Sequence, residues 1–156
     1  MLKRMLLILV VLLIAAQFIR PARTNPPVDP AHELQAPQPV ASILQRSCSD
    51  CHSSRTVWPW YAQVAPVSWL LARDVKGGRH EMNFSEWTTF TPRRQANKLK
   101  QACEQIEQHE MPLWFYLPLH PKAKLTDADR KILCDWAKGE RAKIIAVHPE
   151  AAKPRG

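Results

Sequence analysis

Five consecutive residues, Cys48-Ser49-Asp50-Cys51-His52, hold two thiols three positions apart and an imidazole directly after the second. On one helical turn the two sulfurs lie on neighbouring faces. They are placed to add to the two vinyl groups of a haem and form thioethers, and His52 follows in position to ligate the iron through a neutral ring nitrogen. The pattern is that of covalent c-type haem attachment, one haem c per chain, with Cys48 and Cys51 as anchors and His52 as proximal ligand. A thioredoxin-like C-x-x-C calls for a βαβ setting, and no alternating strand pattern is present. A zinc site using all four cysteines calls for a second close pair, whereas Cys103 and Cys134 stand 31 positions apart.

The second axial ligand has five candidates: Met111, Met82, His80, His109 and His120. Met111 is preferred. It precedes Pro112 on a loop returning toward the core, where Leu113, Trp114 and Phe115 could wall the haem edge. Thioether ligation would favour Fe(II) and raise the potential. An ordinary core methionine is the alternative reading of Met111. His109 marks a frayed helix end, and His80 and His120, in polar surroundings, read as solvated surface residues. Trp58, Trp60 and Tyr61 follow the motif closely. They read either as a cofactor-binding wall, donating to a propionate, or as ordinary packing. Cys103 and Cys134 form an even pair outside the motif, open to a disulfide or to two free thiols.

The elements that must position these groups are helical. Glycine is scarce (4) and proline abundant (14), which suits short helices joined by stiff loops. The first helix carries Val40, Ile43 and Leu44 on one face and runs into Cys48. The second spans about Pro92 to Gln108, with Ala96, Leu99, Ala102, Cys103 and Ile106 at helical spacing. The third starts at Thr126 with a capping-box-like Thr-Asp-Ala-Asp. It buries Ile132, Leu133, Trp136 and Ala137 and stops near Gly139. A fourth covers Val67 to Val75. These spacings predict an all-α fold, a small helical domain over residues 40–147 around one covalent haem.

Residues 1–20 place Lys3 and Arg4 before an apolar run from Met5 to Ile19. This reads as an export signal or transmembrane anchor. Sites for signal cleavage are poor, with Leu13 or Ile14 at the −3 position, so an uncleaved anchor is expected. Residues 21–39 hold six of the 14 prolines and read as an extended tether of up to ~60 Å. Residues 148–156 read as a disordered tail. The formal net charge is +8, and beyond residue 20 the chain keeps 19 basic against 14 acidic groups. Such a face suits anionic headgroups or an acidic protein partner. Nucleic acid is not an expected partner, because no Lys/Arg run or stacking motif of a known reader appears.

Together these segments resemble the bacterial haem-binding domain proteins, small anchored relatives of monohaem cytochrome c. The resemblance rests on Gln17-Phe18-Ile19-Arg20-Pro21, the Cys48 to His52 motif, Trp58-Pro59-Trp60-Tyr61, Ala65-Pro66-Val67-Ser68-Trp69 and Asn83-Phe84-Ser85-Glu86-Trp87. It continues through Glu110-Met111-Pro112, His120-Pro121, Ala123-Lys124-Leu125 and Trp136, and so covers nearly the whole chain. It implies a helical cytochrome c-like fold and haem binding, and leaves the pair Cys103 and Cys134 outside its pattern. The expected function is one-electron transfer by a six-coordinate His52/Met111 haem, with no catalysis of its own. The partner would be a redox protein of the membrane or periplasm. The haem domain would sit in the periplasm, anchored at a bacterial inner membrane. A haem-based sensor of small ligands and a haem-carrying subunit of a membrane complex are the alternatives.

Overall fold

The computed structural model describes residues 1–152, which fold as helices and loops with no strand among them. The helices are α1 (Leu2–Ala16), α2 (Gln38–Ser47), α3 (Ser49–His52), α4 (Val67–Glu81), α5 (Pro92–Glu107) and α6 (Asp127–Val147), with single 3-10 turns between them. The expected all-α class is found.

α5 and α6 form the main packed pair, and α2 lies against α6. Their apolar stripes meet in one core: Val40 and Ile43 from α2, Leu99 and Ile106 from α5, Leu133 and Ala137 from α6. Leu99 and Leu133 are fully buried, each contributing about 2 kcal/mol by transfer from water. Cys103 and Cys134 are joined in a disulfide across this pair, their Cα atoms 5.0 Å apart. Ile132, expected inside, is 39% exposed, because the stripe of α6 runs through Leu133, Cys134 and Ala137 instead.

Helix starts follow the local chemistry. Pro92 occupies the first turn of α5, and the Thr91 hydroxyl accepts from the Arg94 amide. Thr126 and Asp129 form a reciprocal capping box at α6. Asp129 also pairs with Arg46 at 2.7 Å, tying α6 to α2. Two helices outrun their expected ends. α6 does not stop at Gly139 but continues to Val147. Gly139 keeps a helical φ, Glu140 pairs with Lys143, and Ile144 packs on the core. α4 passes Val75 and continues through Gly77 and Gly78 to Glu81. Gly78 permits close packing here: a Cβ on it would meet the Cys51 carbonyl oxygen at 2.5 Å.

Two expectations about the chain's ends are corrected, the free tether and the disordered tail. Residues 21–39 do not form a free tether. The Leu34 amide donates to the Phe84 carbonyl, Asn25 donates to Thr56, Arg55 pairs with Glu33, and Arg79 donates to Thr24 and Asn25. Polar side chains on both partners thus strap the proline-rich segment to the domain. In the expected tail, Pro149–Ala152 form a 3-10 turn whose Ala151 is buried; residues 153–156 lie outside the described residues. α1 has 15 residues, about 22 Å at 1.5 Å per residue. No helix among the described residues is long and apolar enough to cross a membrane. α1 stops at Ala16 because Gln17 turns its amide onto Leu13 and onto the backbone of Ala65.

Gly78→Ala is expected to cost about 1–3 kcal/mol, since α3 and α4 must separate to admit the methyl group. Gly139→Ala, with nothing within 4 Å, should gain up to about 1 kcal/mol from helix propensity. Urea unfolding of the two variants distinguishes them, and equal effects would refute the close approach at Gly78. A second expectation concerns acid. Burial pushes the Asp129 carboxyl up, but hydrogen bonds from the Thr126 backbone, Arg46 and the Thr126 hydroxyl outweigh it. The group sits at about 2, below the ordinary 3.8. Folded Asp129 therefore takes up its proton less readily than the unfolded chain does. Its contribution is full above pH 3.8 and is lost as pH falls toward 2. Arg46→Gln should flatten this limb of the acid-unfolding curve.

Candidate haem site

α2 ends where Cys48 leaves helical geometry (φ −129°, ψ −34°), and the chain re-enters a single turn as α3. The Cys48 carbonyl accepts from the amides of both Cys51 (3.2 Å) and His52 (2.9 Å). Those bonds place both thiols and the imidazole on one turn. All three residues line a cavity of about 1050 Å³, at the upper end for a cofactor pocket. Its far wall is apolar and comes from the core helices, including Leu99, Ile106, Leu133 and Trp136.

His52 is held in one tautomer. Its Nδ1 lies 3.1 Å from the Met82 carbonyl. A carbonyl only accepts, so Nδ1 carries the hydrogen and Nε2 keeps its lone pair. Burial holds the imidazole pKa below its ordinary value, against backbone hydrogen bonds to Met82 and Gly78 that favour protonation, so the ring stays neutral. Phe84 stacks beside it with centroids 5.9 Å apart. Met82 and Phe84 are fixed in turn by a buried polar set. The Ser54 amide donates to the Ser85 hydroxyl, the Asn83 side chain donates to Ser54, and Asn83 Oδ1 accepts from the Ser85 amide.

The two thiols are free of each other. Burial pushes Cys48 up to about 12, with neighbouring Cys51 adding to the effect. Burial likewise pushes Cys51 up to about 11, with Asp50 and Asp74 adding.

Met111 lines the same cavity, as do Leu113 and Phe115. Met82 also lines it, but its carbonyl sits behind the His52 ring, at the nitrogen remote from any metal on Nε2. His80 and His109 are exposed and lie outside the cavity wall. His120 is not the solvated residue expected. It is half-buried, stacked on Tyr116 at 3.9 Å and hydrogen-bonded to the Tyr61 hydroxyl.

Of the aromatic group after the motif, only Tyr61 reaches the cavity. Trp60 is 78% exposed, and Trp58 lines a separate recess. The tight 3-10 turn at Trp60–Gln63 sends consecutive side chains in different directions, and the bond to His120 selects Tyr61. Trp114, expected at the haem edge, is 79% exposed.

A polar cluster at the cavity was not foreseen. Tyr116 donates its hydroxyl to Asp50 Oδ2 at 2.7 Å, and the Val57 amide donates to Asp50 Oδ1. Asp50 occupies one of the two variable positions of the C-x-x-C-H motif, which carry no signal of their own. Only the pairing with Tyr116, 66 positions away, reveals its role.

The groups present suit a haem. Two thiols, an imidazole with Nε2 available and a thioether converge on one large apolar cavity. Trp136 on its wall also has a buried indole N–H with no partner in the protein. No curated protein and no solved structure matches the chain. The haem-binding domain family matches it from residue 11 to residue 139 of 156, a span that contains every residue of this cavity. The chain therefore belongs to the haem-binding domain family, and haem is its cofactor.

Proposed function

We propose that this protein carries one haem c, attached through Cys48 and Cys51 and ligated by His52 and Met111, and that it transfers single electrons. The observation that carries the reading is the locked His52 ring, its Nε2 left available in a cavity that also holds both thiols and Met111. When bound, haem supplies the one-electron iron couple. The protein's residues do the rest. The Met82 carbonyl fixes the imidazole, and its hydrogen bond raises the basicity of the ligating nitrogen. The apolar wall excludes water and sets a low dielectric, which tunes the potential. Phe115 and Leu119, both exposed and both on the cavity wall, form an apolar rim where a redox partner can dock.

Thiols held near 12 and 11 are poor nucleophiles at neutral pH. Thioether formation accordingly belongs to a stage before this wall has packed, or to a dedicated attachment machinery. Either route fits an extracytoplasmic protein, and we place the domain in the periplasm. From Met5 onward α1 is apolar on every side, and none of its residues is buried by the domain. A helix apolar all round belongs in a larger core or in lipid. We assign it, with the apolar residues up to Ile19, to attachment at the inner membrane. The reading gives the protein electron carriage and no turnover of its own.

Spectra of the oxidised and reduced protein, made together with haem-attachment machinery, test this. A low-spin spectrum with the thioether–iron charge-transfer band is expected, and Met111→Ala should lose that band while keeping covalent haem. An unchanged band would remove Met111 as ligand and favour a protein open to small ligands. The double variant Cys48→Ala, Cys51→Ala should lose all haem that survives acid–acetone extraction; covalent haem that persists there refutes attachment at the motif.

A further inference from the structure

α4 has two working faces. One lines the haem cavity through Leu71, Asp74 and Gly78. The other lines a second recess of about 650 Å³ at the foot of α1, with Trp69, Lys76 and Arg79 in its wall. Arg20, Arg73 and Trp58 complete the part of that wall that matters here, Arg73 lining the haem cavity as well. Four cations thus face one recess, and no acidic residue lines it.

None of the four is in an ion pair among the described residues. Arg79 donates to the Ser53 and Thr24 carbonyls, Asn25 Oδ1 and the Thr56 hydroxyl, which are all neutral acceptors. Its charge is therefore fixed in place by neutral acceptors, with no ion-pair partner among the described residues. Glu86 acts on Arg79 and Asp74 on Arg73 through space, and neither carboxylate lines the recess. Four cations around one hollow, none of them in an ion pair among the described residues, are what an anion would neutralise.

The position of the recess says which anion. The Trp69 indole donates to the Ile19 carbonyl at 2.7 Å, and Gln17 exchanges hydrogen bonds with both backbone groups of Ala65. The end of the apolar N-terminal run is thereby fixed at the rim of the recess. With α1 in lipid, the rim lies at headgroup depth, where indoles and basic side chains are favoured. We propose that the recess binds the phosphate of an anionic phospholipid headgroup. This deepens the membrane-attachment reading and takes the position of the bilayer from it; the charge of the recess stands independently.

The full-length, haem-loaded protein in detergent is titrated with short-chain phosphatidylglycerol, with phosphatidylcholine of the same chain length, and with inorganic phosphate, following the thermal midpoint. Phosphatidylglycerol should raise the midpoint, phosphatidylcholine should not, and inorganic phosphate should do so more weakly. Arg20→Gln combined with Lys76→Gln should weaken the phosphatidylglycerol effect roughly 30-fold in concentration, at about a factor of five per basic group, with the haem spectrum unchanged. Equal responses to the two lipids, or an undiminished response in the double variant, would overturn the proposal. A response to inorganic phosphate equal to that to phosphatidylglycerol would also overturn it, in favour of a free-phosphate site. Co-flotation of the unaltered protein with neutral phosphatidylcholine vesicles reports on α1 separately. Flotation without lipid selectivity removes the headgroup site alone, and lipid selectivity without flotation removes the anchor alone while upholding the site.

Discussion

The hydrogen bond from His52 Nδ1 to the Met82 carbonyl is the constraint on which the site depends. An imidazole free to rotate or to change tautomer offers a metal two poorly oriented nitrogens; one with Nδ1 engaged offers a single oriented lone pair. That bond requires Met82 to stand behind a residue 30 positions earlier in the chain. The requirement is met by extending α4 past its glycine pair. Gly78 lets α4 lie against the Cys51 backbone, and the Met82 amide closes the helix on the Gly78 carbonyl. The Asn83, Ser54 and Ser85 bonds then prevent the following loop from drifting. Much of what looks like connecting chain around residues 82–85 thus serves one ring nitrogen.

What could be read from the sequence were features with a local cause. The C-x-x-C-H spacing is a property of one helical turn, and the stripes of α2 and α5 and the box at Thr126 are properties of a single helix. The features that escaped are pairwise and distant. Nothing near Asp50 announces Tyr116, and nothing near Tyr61 announces His120. The glycines misled for a physical reason. Gly139 reads as a helix stop only if it adopts positive φ, and Gly77 and Gly78 weaken a helical reading of α4 unless the close approach at Cys51 is known. The proline-rich segment reads as a free spacer from composition alone, because the strap is formed by Arg79 and Arg55 on the domain.

α4 emerges as the shared wall of two hollows. It gives Leu70, Leu71, Asp74 and Gly78 to the haem cavity and Trp69, Lys76 and Arg79 to the recess at the foot of α1, while Arg73 lines both. Arg79 spans the two, since its guanidinium holds the Ser53 carbonyl, next in the chain to His52, as well as the strap at Thr24 and Asn25. One side chain therefore couples the position of the N-terminal segment to the turn that bears the motif.

The disulfide has a topological consequence. Cys103 and Cys134 close a covalent ring of the intervening chain, and that ring contains Met111, Leu113, Tyr116 and His120. The motif, Met82 and Phe84 all lie outside it. The two halves of the cavity wall thus differ in what restrains them: the His52 side is held by hydrogen bonds and helix packing, and the Met111 side is looped to the core by a buried covalent bond.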